Sequence, residues 1–408
     1  MKLMPWRGNF DQLPREVAVL TAVSFSVAIG YGVVVPAIPV FARSFGVSHA
    51  AAGAVISTFA FMRLATGLFG GRLVDRFGER SVLAVGIGIV AISSALAGLA
   101  QNYPQLILLR SAGGIGSSMF TISAASLLLR IVPDDQRGRA QSVYQSGFLI
   151  GGITGPAIGG VLATISIRAP FFVYALSLTA AGLIAAIFLS HSRLTAARDG
   201  VDIASRAQST HTSLREALKM ESYLTALLCS FALGWTIFGM RASLIPLFIT
   251  EHMKLAPSWT GIGFTIASIA GALTLLPAGQ LSDTRGRRSA LLIGIITAMV
   301  AFLLLTWSPN IALVVVAMGL TGVAGSFFGT TPAAIVGDIL HGRGGQVIAL
   351  FQMASDFGSI LGPLVAGWLA DRFSYEAAFA VAPLILLPAL IMALRLGETR
   401  KSHLPQQS

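Results

Sequence analysis

Four charged side chains lie well inside long apolar runs: Arg63, Arg110, Arg241 and Asp356. A charge at the centre of a membrane helix costs about 2.5–3.5 kcal/mol on insertion scales, so each needs a use or a partner. Asp356 is the only carboxylate of the four. A carboxylate in that setting takes up a proton when desolvated and gives it up when a cation stands beside it. Arg63 lies 12 residues before Asp75, which at 1.5 Å per residue is about 18 Å of helix. Asp356 lies 10 residues beyond Gln346, about 15 Å by the same measure. Both therefore sit near the middle of a core about 30 Å thick. Whether they touch is not written in the sequence. A permanent ion pair and a proton-carrying pair are the two readings.

A second set of residues sits at the ends of the runs. Gly71-Arg-Leu-Val-Asp75-Arg76-Phe-Gly78, followed by Arg80, returns 208 residues later as Gly279-Gln-Leu-Ser-Asp283-Thr-Arg-Gly286, followed by Arg287. Asp75 among Arg72, Arg76 and Arg80 can hold those cations, or cap the positive N-terminal end of a neighbouring helix. Glycines there also suit a plain tight turn. Gly151, Gly155 and Gly159 recur at i, i+4 and i+8 with Gly160 beside them, a face that lets helices approach closely. Pro156, in the same run, withdraws one backbone donor. The aromatic residues Tyr31, Phe120, Trp235, Phe238 and Phe327 suit flat, lipophilic or cationic compounds. They suit lipid or helix contacts equally well.

The elements that carry these residues are membrane helices. Hydrophobic residues make up 54% of the 408 positions and charged ones 11%, with a mean hydropathy of +0.77. Soluble domains carry about 25% charge. The net charge of +11 does not read as a nucleic-acid surface, because the basic residues cluster between apolar runs. One cysteine, Cys229, and scattered histidines exclude a disulfide framework and a Cys-based metal site. Neither a nucleotide-binding loop nor paired acids within the runs favour an enzyme, so no cofactor and no metal are expected. The segment from Met1 to Arg15 has no small-residue cleavage site, so the first run is expected to be a retained span.

A span needs about 20 apolar residues. Twelve runs qualify: 17–41, 51–71, 81–100, 104–129, 141–164, 169–190, 223–249, 258–279, 289–307, 311–337, 346–369 and 375–395. With the N-terminus inside, 21 Lys and Arg fall on the inner side and 4 on the outer. That asymmetry predicts both termini in the cytoplasm. Two further matches support a repeat: Gly155-Pro156 returns as Gly362-Pro363, and Pro39-Val-Phe41 as Pro246-Leu-Phe248, each 207 residues on. The expectation is an all-α polytopic membrane protein, twelve transmembrane helices in two pseudo-symmetric six-helix halves. Residues 1–190 form one half, 191–222 a cytoplasmic linker and 223–408 the other.

On these residues the chain resembles the major facilitator superfamily, and within it the twelve-span drug–proton antiporters. The resemblance rests on the Gly71–Arg80 motif with its copy at Gly279–Arg288, on Arg110 with Gly114 and Gly116, on Gly151–Gly160, and on Pro36-Ala-Ile-Pro39. It implies a central cavity opened alternately to each side by rocking of the halves. It also implies that Asp75 latches the cytoplasmic end of the eleventh span, and that Gly151–Gly160 is the antiporter signature. Some drug antiporters carry an acid in the first span, which this chain lacks, leaving Asp356, Arg63 and Arg110 as the residues for proton coupling. Arg110 is placed to reach first-span carbonyls near Gly30 and Gly32, and Arg241 to face the outer vestibule and to join Tyr31, Phe120, Trp235, Phe238 and Phe327 as a candidate substrate-binding residue. The function so implied is proton-coupled efflux of small lipophilic or cationic compounds from a bacterial inner membrane. A proton-coupled metabolite or sugar transporter is the alternative. Substrate, protons and the bilayer are the expected partners, with no nucleic acid, for a monomer.

Overall fold

The structure, a computed structural model, describes residues 13–132, 136–189, 213–308, 310–339 and 345–397. Among them twelve helices are long and apolar enough to cross a membrane. They are α1 (Arg15–Arg43), α2 (His49–Phe77), α3 (Glu79–Gly98), α4 (Tyr103–Ile131), α5 (Arg137–Ile165), α6 (Ala169–Phe188), α7 (Glu221–His252), α8 (Ser258–Thr284), α9 (Arg287–Thr306), α10 (Ile311–Ile339), α11 (Gly345–Arg372) and α12 (Tyr375–Arg395). Backbone polar groups have no water to bond in hydrocarbon, so each span satisfies them within its own helix. An even number of spans puts residues 13 and 397 on one face, called here the terminal face. Most of the expected linker lies outside the described residues. Its end forms one helical turn, Leu214–Ala217, with Ser213 and Glu216 as a reciprocal N-terminal cap.

The two halves repeat each other in contacts as well as in sequence. In the first, α1 packs on α5 and α6, and α4 on α2 and α3; in the second, α7 packs on α11 and α10 on α8 and α9. Across the boundary α2 packs on α11 and α5 on α8. The turns before α3 and α9 are both made by a glycine in the left-handed region, Gly78 at φ 77° and Gly286 at φ 101°, where a Cβ would be strained. Charges beside these turns are exchanged between the halves. Glu79 opens α3 and pairs with Arg130 at the end of α4. Arg287, at the equivalent place 208 residues on, opens α9 and pairs with Asp338 at the end of α10 at 2.9 Å. The same joint is thus pinned twice, with opposite polarity.

Candidate functional site

Arg63 and Asp356 do meet. The guanidinium Nη2 of Arg63 on α2 contacts Oδ1 of Asp356 on α11 across the boundary between the halves. Asp356 is largely covered, its side chain 18% exposed, while Arg63 is 39% exposed. The Ser57 hydroxyl, about two turns away on α2, donates to the Ile360 carbonyl at 2.6 Å. The α2–α11 contact is therefore sealed at mid-depth by one ion pair and one hydrogen bond.

The other boundary, α5 against α8, is different at the same level. The repeat places Gly271 and Leu149 where Arg63 and Asp356 stand. Both line a cleft of about 280 Å³ enclosed by α5, α7, α8 and α10. Arg241 forms part of its wall beside Phe238. The Arg241 Nη1 lies 3.4 Å from the Thr321 hydroxyl oxygen, and the guanidinium lies 5.5 Å from the centre of the Phe264 ring. Its Nε is enclosed with no hydrogen-bond partner, and no carboxylate pairs with it among the described residues. The polypeptide around Arg241 is unusual: α7 winds with the wider i→i+5 pattern over Gly234–Met240 and again over Phe248–His252. Such bulges re-aim side chains and recur at functional sites.

The glycine face of α5 serves mainly to seat α1. A Cβ at Gly151 would fall 2.7 Å from the Ile29 nitrogen, one at Gly155 2.5 Å from the Ile29 oxygen, and one at Gly159 2.3 Å from the Val33 oxygen. Gly160 turns the other way and meets Gly261 of α8, where a Cβ would come within 2.6 Å of the facing Cα. Pro156 stands between the two contacts: its ring abuts Gly32 of α1 and its carbonyl oxygen faces Gly261. Pro363 of α11 repeats this, its ring against Gly239 of α7 and its carbonyl toward Gly53 of α2. Close approach by small residues thus holds both boundaries together on the face away from the termini.

That far face is also latched by charge, which sequence reasoning missed. Arg43 at the end of α1 makes two hydrogen bonds to Glu251 near the end of α7, at 2.8 and 3.1 Å. The two residues are 208 positions apart, equivalent places in the repeat. Asp371 at the end of α11 accepts from the backbone N–H groups of His49 and Ala50, both at 2.8 Å, and so caps the first turn of α2 from the other half. The His49 ring bridges Asp371 at 2.6 Å and Glu251 at 3.0 Å, with the Tyr375 hydroxyl 2.8 Å from its Nε2. The signal was the 208-residue offset of Arg43 and Glu251. Charges at the ends of spans are usually solvated, so nothing else marked them.

On the terminal face Asp75 does not hold its neighbouring arginines. It is exposed in the last turn of α2 and makes no ion pair or hydrogen bond among the described residues. Arg72 and Arg76 lie over the Phe69 and Phe77 rings instead, and Arg80 donates to the Ala186 carbonyl at the end of α6 at 2.9 Å. Gly71 lies within α2, about one turn before Asp75. In the second copy, Gly279 lies within α8, and Asp283 pairs with Arg287 at 2.5 Å.

The remaining expectations divide. Tyr31 is 41% exposed and Phe238 48%, and Phe238 lines the cleft. Phe120 and Phe327 do not: they are equivalent residues buried inside their own halves, where the Phe327 side chain packs on Gly294 of α9 and the Phe120 backbone runs against Gly86 of α3. Trp235 is likewise buried, against Phe231 and the glycines of α11. Aromatic type alone does not tell a cavity wall from a helix seam. Arg110 does not bond the carbonyls near Gly30 and Gly32. It is buried with its guanidinium 4.6 Å from the centre of the Phe59 ring, and the space beside Gly30 is filled by Tyr174 and Ser177 of α6. No group of His, Cys, Asp and Glu among the described residues could hold a metal.

Twelve spans, a repeated six-helix half and paired boundaries define the fold. The family model described as Major Facilitator Superfamily matches residues 20–254 and 226–408. The chain belongs to the major facilitator superfamily. It is 24% identical over 406 residues to the quinolone resistance protein NorA of Staphylococcus aureus, covering 97% of this chain and 99% of that one. It is 27% identical over 412 residues to the multidrug resistance protein MdtG of Enterobacter lignolyticus, covering 96% and 95%. Among solved structures, a POT family transporter in complex with 5-aminolevulinic acid superposes with a TM-score of 0.77 at 12% identity over 96% of this chain and 97% of that one. A bacterial homologue of the human lysosomal transporter Spinster, inward-facing and unoccupied, gives 0.68 at 15% identity over 93% and 94%. These likenesses show the fold. As a member of the superfamily, the chain is a transporter and not an enzyme.

Proposed function

We propose that this transporter is a proton-coupled exporter of small lipophilic compounds, working by alternating access in a bacterial inner membrane. The observation that carries the proposal is the Arg63–Asp356 pair: the only carboxylate deep in the spans sits on the moving boundary between the halves, against a cation from the opposite half. NorA and MdtG, both named for drug resistance, support export of drug-like compounds. Of the two substrate classes that the sequence suggests, the lipophilic one is favoured, because no acid among the described residues lines the cleft.

In this account the terminal face is cytoplasmic, as the placement of basic residues requires. The far face is then periplasmic and closed by the Arg43–Glu251 and His49–Asp371 latch, while Asp75 awaits its partner. On this reading the conformation is the one open to the cytoplasm. Substrate enters the cleft beside Phe238 while Asp356 is ionised and paired with Arg63. Rocking closes the cytoplasmic face by bringing Asp75 to the N-terminal end of α11, undoes the periplasmic latch and parts α2 from α11 from the periplasmic side down to Arg63 and Asp356. Asp356, now without its cation, takes a proton from the periplasm. Return of the halves restores the pair and expels that proton inward. Protons move in as substrate moves out. All these parts come from one chain, so a monomer suffices.

Everted membrane vesicles with a lipophilic fluorescent dye added to the external medium test the proposal. An imposed inward-acid gradient should drive dye accumulation that collapses on adding a protonophore. Accumulation that ignores the gradient would refute proton coupling.

A further inference from the structure

The cleft beside α5 and α8 carries a positive charge that no carboxylate among the described residues answers. Arg241 is the only charged residue on its wall, and no carboxylate pairs with it among the described residues. Its single polar contact, Thr321, is poor. The Thr321 hydroxyl donates its proton to the Met318 carbonyl at 2.7 Å and offers Arg241 a lone pair at 3.4 Å. The ring of Phe264 at 5.5 Å offsets part of the cost of holding the charge there. The enclosed Nε still has no acceptor. A guanidinium has five N–H donors and is never deprotonated in proteins, so this cleft contains donors without acceptors. Arg63, by contrast, has its acid. The rest of the wall is apolar, such as Phe238, Leu149 and Leu275, or carries the neutral hydroxyls of Ser268 and Ser326.

We propose that Arg241 binds an anionic group of the substrate, a carboxylate or phosphate, with the substrate's apolar body against Phe238 and the α5 wall. The substrate class is then lipophilic anions and zwitterions, and simple lipophilic cations are disfavoured. A planar guanidinium suits such oxyanions because two parallel N–H bonds match two oxygens. The inference rests on the transporter reading only for the carriage of the ligand; binding at Arg241 stands or falls by itself.

Binding is measured on the full chain in phosphatidylcholine nanodiscs with three probes of one shape: anthracene-9-carboxylate, anthracene-9-carboxamide and 9-(aminomethyl)anthracene. The carboxylate should bind about tenfold or more tighter than the amide, the margin of one charge-assisted hydrogen bond, and the amine weakest. Arg241→Gln should bring the carboxylate down to the level of the amide, and a melting temperature near that of the unsubstituted protein shows that the variant is folded. Should Arg241→Gln fail to fold, Arg241→Lys, which keeps the charge and loses the fork, should retain a smaller preference. Repeating the series with phosphatidylglycerol in the nanodisc separates the sources of the anion. Competition by that lipid identifies a headgroup as an occupant of the same site; its absence leaves soluble anions. If the three probes bind alike, or if the amine binds best, the inference is overturned whatever the transport assay gives. If the carboxylate binds as expected but is not accumulated by everted vesicles, the anion site stands and the export reading fails.

Discussion

Arg63 and Asp356 pair across one boundary at the level where the repeat has only Gly271 and Leu149 at the other. One boundary is plugged by charge and the other is left open as a cleft, so the symmetry of the fold is broken where chemistry is needed. Removing one member of such a pair leaves a charge without its answer, and this is more damaging than removing both. Arg63→Ala combined with Asp356→Asn should therefore lower thermal stability less than the sum of the singles, with a coupling on the order of 1 kcal/mol. Strict additivity would mean that the two do not depend on each other.

The latch on the far face should set the resting conformation. Asp371→Asn weakens the cap that α11 lends to the first turn of α2, and caps of this kind are worth about 1 kcal/mol. The population open on the far face should rise roughly fivefold. A cysteine at Tyr31, in a Cys229→Ala background, reports this through its labelling rate with an impermeant thiol reagent added to intact cells. An unchanged rate would show that the latch does not hold the closed face.

Asp75 is free in this state, so its substitution should not disturb binding from the terminal face. Asp75→Asn should leave the affinity of a transported dye within about twofold, while slowing turnover at least about tenfold through loss of a helix-capping charge in the closed state. Asp283→Asn should be milder for turnover, because Asp283 is already committed to Arg287 within its own half. Normal turnover in Asp75→Asn would remove the latch role.

Glycines of the cleft and of the seams should respond oppositely to a larger side chain. A Cβ at Gly325 meets nothing within 4 Å, whereas one at Gly160 would fall 2.6 Å from the Gly261 Cα. Gly325→Leu should fold with a near-normal melting temperature yet bind dye about tenfold more weakly, because a single filled contact is worth that much. Gly160→Leu should destabilise by about 1–3 kcal/mol through overpacking. Equal binding in Gly325→Leu would place the substrate elsewhere.

The spans were legible in the sequence because hydrocarbon demands long apolar runs, and the halves because offsets of 207 and 208 recur. The depth of Arg63 and Asp356 was legible for the same reason, since charge is rare and costly there; that the two touch was not, and came from the packing of α2 on α11. The Asp371 cap was not, since it depends on which helix ends adjoin. Phe120 and Phe327 misled because an aromatic ring packs between helices as well as it lines a cavity, as Phe327 does against Gly294. Arg241 could be singled out as a buried charge, but only the packing of α5, α8 and α10 around α7 shows what it faces.

Proton coupling at Asp356 is the centre of the account, and Asp356→Asn tests it most directly. The amide mimics the protonated acid while cavity and gates remain. In proteoliposomes, Asp356→Asn should abolish accumulation of substrate driven by a pH gradient, yet leave downhill exchange of substrate at a rate near that of the unsubstituted protein. Gradient-driven accumulation by Asp356→Asn with unchanged pH dependence would contradict the account and make the Arg63–Asp356 pair a structural clasp.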